Sequence, residues 1–210
     1  MSDFPAGGSP LSDAAPSAAP SATPSAAPSA TPSAAPSATP SAASSAAVTA
    51  AAASGDPLTV LIDGPSGAGK TTWAASLGYP VVHLDDFYPG WSGLAAAAQM
   101  VARDVLDPVN PGFWRWDWDA DRRGAWQPLP RRGPGEVLVV EGAGAVTAES
   151  VAAARALGRV HTVLVTAPEE VRRTRALARD PYYAPFLAMW ARQEERHFSV
   201  PVHYDEVIRG

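Results

Sequence analysis

Cysteine is absent from the 210 residues, which excludes disulfides, thiolate zinc sites and a cysteine nucleophile and agrees with a reducing compartment. Lysine is almost absent: of the 16 basic side chains fifteen are Arg, and the one Lys is Lys70. Long apolar runs are missing too, since no stretch approaches the ~20 apolar residues of a membrane span. The N-terminal segment also lacks the basic n-region and leucine-type h-region of a signal peptide. The expectation is a cytoplasmic protein with no membrane partner. Excess positive charge is lacking as well: the chain carries a net −5, so there is no general electrostatic case for binding nucleic acid.

What is abundant at the N-terminus cannot form a core. From Pro16 to Ala43 the sequence repeats Pro-Ser-Ala-Ala-Pro-Ser-Ala-Thr with a period of eight and without a large apolar side chain. Such a segment has no burial to offset the entropy of ordering. Known tandem-repeat folds bury an apolar face in each unit, which these residues cannot supply. Residues 1–55 are therefore predicted to be a disordered tail, with at most transient helix over Ala46–Ala53. Residues 56–210 are predicted to be one α/β domain. A chain beginning near Gly55 is expected to keep its melting temperature and turnover.

The domain opens with Leu58 to Thr72, an apolar strand-like run, a glycine-rich turn and a helix start. Gly64, Gly69, Lys70 and Thr71 satisfy G-x-x-x-x-G-K-[ST]. In that pattern glycines let backbone N–H groups curl around phosphate oxygens, Lys reaches the β/γ-phosphates, and the hydroxyl ligates Mg²⁺. The candidate phosphate-binding residues are Gly64, Pro65, Ser66, Gly67, Ala68, Gly69, Lys70, Thr71 and Thr72. That the lone Lys stands here is consistent with a cradle that admits a compact ammonium and not a planar guanidinium.

Downstream, Pro80–Leu84 reads as a second buried strand running into Asp85-Asp86-Phe87-Tyr88. In open α/β sheets ligands bind beyond the C-terminal ends of the strands, so this acidic pair shares a rim with the phosphate loop. It serves either as a base or Mg²⁺-water ligand, or as a helix cap. Leu94–Leu106 reads as a scaffold helix. Alternation over Phe113–Asp119 places Trp114, Trp116 and Trp118 on one face, as a stacking platform or as core, with Trp126–Leu129 a pairing edge. The Arg pairs at 122/123 and 131/132 read as solvated loop charges. Val137–Val140 is a third strand, and Glu141 at its end is placed as a Walker B acid holds Mg²⁺. A crossover helix over Thr147–Leu157 and a strand over Arg159–Thr166 follow. Thr166-Ala167-Pro168-Glu169 matches a capping box before the next helix. On that helix Arg172, Arg175 and Arg179 share a face, which suits a triphosphate or a solvated row paired with Glu169 and Glu170. A last helix, Phe186–Phe198, and a strand, Tyr204–Ile208, complete an alternation that predicts a parallel sheet with helices on both faces.

In this order GPSGAGKT, Asp85-Asp86-Phe87-Tyr88, Trp116-Asp117-Trp118, Glu141-Gly142 and the Arg172–Arg179 row resemble the uridine kinase and nucleoside kinase branch of P-loop kinases. The resemblance covers nearly all of residues 57–210. It implies the three-layer P-loop kinase fold with a short Arg-rich lid, and transfer of the γ-phosphoryl group of ATP, with Mg²⁺, to a hydroxyl of a small nucleoside-like acceptor. Carried over by position, Asp85 is the acceptor base, Tyr88, Trp116 and Asp117 border the substrate, and Glu141 serves Mg²⁺. Arg175 and Arg179 belong to the lid, with Arg172 beside them. The family's nucleobase-reading His has no counterpart, Asp121 standing about there. The acidic pair and Pro185–Glu194 look at least as much like nicotinamide riboside kinases, and a nucleoside-monophosphate kinase or a nucleotide-binding regulator are the other readings.

Overall fold

The computed structural model describes residues 48–50 and 52–210. Strand β1 (Leu58–Asp63), helix α1 (Lys70–Ser76), strand β2 (Val81–His83) and a 3-10 turn at Leu84–Asp86 come first. Helix α2 (Leu94–Met100) then widens into a π turn over Val101–Val105, where the Leu106 N–H bonds the Val101 carbonyl at 3.0 Å. The hairpin β3 (Gly112–Asp117) and β4 (Arg122–Pro128) follows. Strand β5 (Val137–Glu141), helix α3 (Ala148–Leu157), strand β6 (Arg159–Thr166) and helix α4 (Glu169–Arg179) continue the chain. A 3-10 segment at Pro181–Phe186, helix α5 (Leu187–Phe198) and strand β7 (Glu206–Arg209) end it.

Five strands form one sheet in the order β2-β5-β1-β6-β7, parallel throughout. Every residue of the central strands β1 and β5 is buried, as an apolar run covered on both faces requires. Alternation divides the core. Leu58, Val60 and Ile62 face Trp73 and Ala74 of α1, while Leu61, Leu138 and Val140 join Leu94, Val101 and Ala154 on the opposite side. The three-layer α/β expectation is met. The register sets the site: Ile62 and His83 both pair with Glu141, and Asp63 pairs with Leu164. Asp63, His83 and Glu141 thus reach one edge of the sheet together.

Several details depart from the sequence reading. The tail expected over residues 1–55 lies outside the described residues up to position 47. Val48, however, is wholly buried in the α1-side cluster with Ala52 packed against it, so the core reaches upstream of residue 56. Helix α4 has no capping box: its N-cap is Pro168, without a side-chain bond. Thr166 is still in β6, paired with Arg209, and cannot turn back onto a helix. The hairpin carries one extra residue on β4 between Trp126 and Arg123. The three tryptophans do not form one platform. Trp114 packs edge-on against Trp126 under the Arg123 guanidinium, whereas Trp118 sits 5.2 Å from Trp91. Arg132, read as a solvated charge, is half-buried and donates to the Leu58 carbonyl at 3.1 Å and Thr59 Oγ1 at 2.6 Å.

Candidate active site

The phosphate loop leaves β1 at Gly64 and enters α1 at Lys70. Two of its glycines are required by what lies against them: a Cβ on Gly64 would strike the Val165 carbonyl, and one on Gly67 the Arg172 carbonyl, both at positive φ. Gly69, the N-cap of α1 at φ 103°, is different, because a Cβ there would meet nothing within 4 Å. It marks the open side of the loop. Lys70 is buried, and its Nζ donates to the Pro65 carbonyl at 3.1 Å, so the ammonium folds over the loop.

Beside the loop, Thr71 Oγ1 donates to Glu141 Oε1 at 2.9 Å, and His83 Nδ1 lies 2.6 Å from the same oxygen. Burial works to raise the Glu141 carboxyl, but the bond with His83, the Lys70 charge and the bond from Thr71 outweigh it and hold it low. His83 is held above its ordinary value by the bond to Glu141, against the effect of burial. Among the described residues no group of three acidic, His or Cys side chains forms a metal cage. One hydroxyl and one carboxylate are nevertheless the donor set that suits Mg²⁺, which keeps waters and takes phosphate oxygens for the rest of its shell.

Asp85 sits in the 3-10 turn at the end of β2. Asp85 is exposed, although protein fills much of the space around it. This loss of surrounding water raises its pKa, partly opposed by Arg179 and then by Lys70 and His83. No hydrogen bond or ion pair engages its carboxylate among the described residues; its backbone carbonyl accepts from Trp118 Nε1 at 3.1 Å. Asp86 turns the other way, 3.6 Å from Arg115, and does not cap the following turn. That turn is closed by the Phe87 and Tyr88 N–H groups on the Leu84 carbonyl.

Of the other predicted residues, Tyr88, Asp117 and Arg172 are engaged within the fold. Tyr88 is buried edge-on against Trp190, and its hydroxyl donates to the Ala143 carbonyl at 2.8 Å, bracing the turn after Glu141 and bordering no open cleft. Asp117 accepts from the Ala120 N–H at 3.0 Å and closes the hairpin turn. Trp116 is half-buried, and its indole N–H is buried with no partner among the described residues. Arg172 is tied back, Nε donating to the Ala167 carbonyl at 3.0 Å and Nη1 lying 4.0 Å from Glu194 Oε2. Arg175 is half-buried and Arg179 exposed, and neither makes a hydrogen bond or ion pair among the described residues.

The structure adds residues the sequence reading omits. Asp63, fully buried, accepts from the Gly64, Gly144 and Val146 N–H groups at 2.8, 3.0 and 3.0 Å and bonds His197 Nε2 at 2.7 Å. It ties the phosphate loop to the turn after Glu141 and to α5. Glu194, 6% exposed, accepts from the Ser66 N–H at 2.6 Å and Trp190 Nε1 at 2.9 Å. Trp91 stacks on Phe186 at 4.3 Å and lies beside Tyr183 and Trp118, building an aromatic wall next to Asp85. The signals were an acid ending the apolar run of β1, and Trp190, Glu194 and His197 recurring on one helical face. A cavity of about 690 Å³ lies away from the phosphate loop, between α2, α5 and the start of α3, bordered by Ala98, Arg196 and His197.

No family model matches this chain, and no curated protein matches it. Among solved structures, the chain is similar to a candidate uridine kinase from Bacillus stearothermophilus, at 16% identity and a TM-score of 0.47, over 78% of this chain and 94% of that one. It is also similar to a candidate fructose transport system kinase from Silicibacter sp. TM1040, at 18% identity and a TM-score of 0.46, over 73% of this chain and 90% of that one.

Proposed function

We propose that this protein is an ATP-dependent kinase that transfers the γ-phosphoryl group to a hydroxyl of a small, nucleoside-like molecule. The observation that carries the reading is convergence: Lys70, the Thr71–Glu141 pair and the unpartnered carboxylate of Asp85 meet at the C-terminal edge of β1, β5 and β2. Holding a nucleotide requires the loop and the pair. A raised, unengaged carboxylate opposite them suits accepting a proton.

In this reading the acceptor oxygen attacks the γ-phosphorus, the bond to the β-phosphate oxygen breaks, and the hydroxyl proton passes to Asp85. Lys70, Arg175 and Arg179 balance the charge on the phosphoryl oxygens, and the loop amides fix the phosphates in line. Thr71 and Glu141 would hold Mg²⁺, which neutralises phosphate charge. Glu141 is preset for that task by His83, which holds the same oxygen Thr71 reaches. The wall of Trp91, Trp118, Tyr183 and Phe186 supports a planar acceptor, because aromatic faces bind planar groups without requiring a hydrogen-bond code.

The test is phosphoryl transfer from MgATP to a panel of uridine, cytidine, nicotinamide riboside and their monophosphates, with MgATP binding followed by calorimetry. Lys70→Ala is expected to abolish measurable turnover and weaken MgATP severely. Wild-type affinity in Lys70→Ala would end the phosphate-loop assignment, and transfer confined to the monophosphates would replace the nucleoside with a nucleotide acceptor.

A further inference from the structure

Ser66 stands at the third position of the phosphate loop, and its polar atoms face away from the cradle. Its N–H donates to Glu194 Oε1 at 2.6 Å, its carbonyl lies 3.5 Å from Arg172 Nη1, and its side chain neighbours the Tyr183 hydroxyl. These partners come from α5, from α4 and from the 3-10 segment joining them. On either side, the Pro65 carbonyl is taken by Lys70, and Gly67 is pressed against the Arg172 carbonyl. The peptide planes from Pro65 to Gly67 are thus fixed from outside. Of the amides that follow, the Ala68 N–H bonds the Pro65 carbonyl at 3.2 Å, and those of Gly67, Gly69, Lys70 and Thr71 remain for a ligand among the described residues.

From this arrangement we propose that Glu194 is a positioning residue for nucleotide binding: its buried carboxylate sets the Ser66 peptide and thereby the course of the phosphate loop. The inference rests on the reading of Gly64–Thr71 as the nucleotide cradle. A purely structural role is poorly served by this residue. Helix α5 is already docked by Trp190 in the core, by the Gln193 amide on the Trp91 carbonyl at 2.8 Å, and by His197 on Asp63. A buried carboxylate is costly, and a neutral side chain could pin a helix as well. What the charge supplies is a short, charge-assisted acceptor for the Ser66 N–H, with the second oxygen turned toward Arg172. The same group therefore holds the loop and the base of the arginine-bearing helix. Arg172 is placed by it as a strut, which leaves Arg175 and Arg179 to face the phosphates.

The experiment uses the full-length protein, with Glu194→Ala and Glu194→Gln, and titrates MgADP and AMP beside melting temperatures. Glu194→Ala leaves the Ser66 N–H without an acceptor and is expected to weaken MgADP on the order of tenfold to a hundredfold, the loss of a hydrogen bond to a charged group. Glu194→Gln keeps an acceptor oxygen but turns an amide toward Arg172, and is expected to weaken MgADP by about threefold to tenfold, a smaller loss because only the charge is removed. AMP has no β-phosphate for the cradle and should bind all three proteins alike. If Glu194→Ala does not fold, Glu194→Gln decides. Wild-type affinity for MgADP in a folded variant overturns the proposal, as do equal losses for MgADP and AMP, which would make Glu194 general scaffold. Failure of the wild-type protein to bind MgADP would instead remove the cradle reading on which the proposal stands.

Discussion

Asp85→Asn is the substitution on which the chemical reading depends most. The asparagine is nearly isosteric, and no hydrogen bond or ion pair to the carboxylate is lost among the described residues; the Trp118 bond goes to the backbone carbonyl, which is unchanged. Binding of MgATP should therefore stay as in wild type. Turnover should fall by about 10² to 10⁴, the usual worth of a general base, or about 2.7–5.4 kcal/mol of barrier at 1.36 kcal/mol per tenfold. The stability arm runs the other way. Because the folded protein raises the Asp85 pKa, it binds the proton more tightly than the unfolded chain does. The ionised carboxylate thus lowers stability, an effect absent below the ordinary carboxylate range and complete once pH exceeds the raised folded value. Asp85→Asn should match wild type in melting temperature at low pH and exceed it at neutral pH. Single-turnover transfer and thermal denaturation across pH test both arms. Wild-type turnover in Asp85→Asn refutes the assignment, and loss of turnover in Asp86→Asn alone moves the base to the neighbour. Otherwise Asp86→Asn should be nearly silent, since its exposed pair with Arg115 contributes at most about 1 kcal/mol.

Tyr88→Phe leaves the buried Ala143 carbonyl without its donor and should cost about 1–2 kcal/mol of stability. The acceptor KM should not change; a KM that rises while the melting temperature holds would return Tyr88 to the substrate. Arg132→Ala removes two bonds from a half-buried guanidinium to β1 and should cost about 2 kcal/mol in denaturant unfolding. Arg131→Ala, at an exposed position, should stay within about 0.5 kcal/mol of wild type, and equal effects would show that Arg132 is solvated too. A chain starting at Gly55 loses the burial of Val48, worth about 1.5–3 kcal/mol before the entropy of ordering its helical turn is returned. Its melting temperature should fall by about 2–8 °C with turnover kept, where the sequence alone predicts no change. An unaltered melting temperature would remove Val48 from the core.

The sheet was legible because β1 and β5 are apolar runs ended by an acid and the apolar stretch of β6 is ended by Thr-Ala-Pro, and the phosphate loop because its spacing is local. Roles assigned by position were less secure. Tyr88 and Asp117 stand in matching motifs, but whether a side chain faces a cleft or a turn depends on its surroundings, and the Ala143 carbonyl lies 55 residues from Tyr88 in sequence. The supports of the loop were hidden for the same reason. Ser66 and Glu194 are separated by 128 residues, and Asp63 and His197 by 134. A lone buried acid gives no sign of its partner until the chain has folded. Val48 was missed because one valine in an alanine-rich segment has no period to announce which face it buries.

The bond between Asp63 and His197 also bears on the order in which the protein can become competent. Asp63, Gly64 and the turn at Gly144 leave the ribosome long before α5, so during synthesis a carboxylate destined for the interior waits without its imidazole partner. Contacts so far apart in sequence form late. The strands can pair and the glycines turn, but the loop lacks its partners Glu194 and His197 until α5 docks. A nascent protein released before residue 187 would carry the complete phosphate-loop motif and should bind no nucleotide. For this chain, competence for ligand would follow the emergence of α5, and an immobilised-nucleotide assay on ribosome-bound intermediates of increasing length would register it as a single late step.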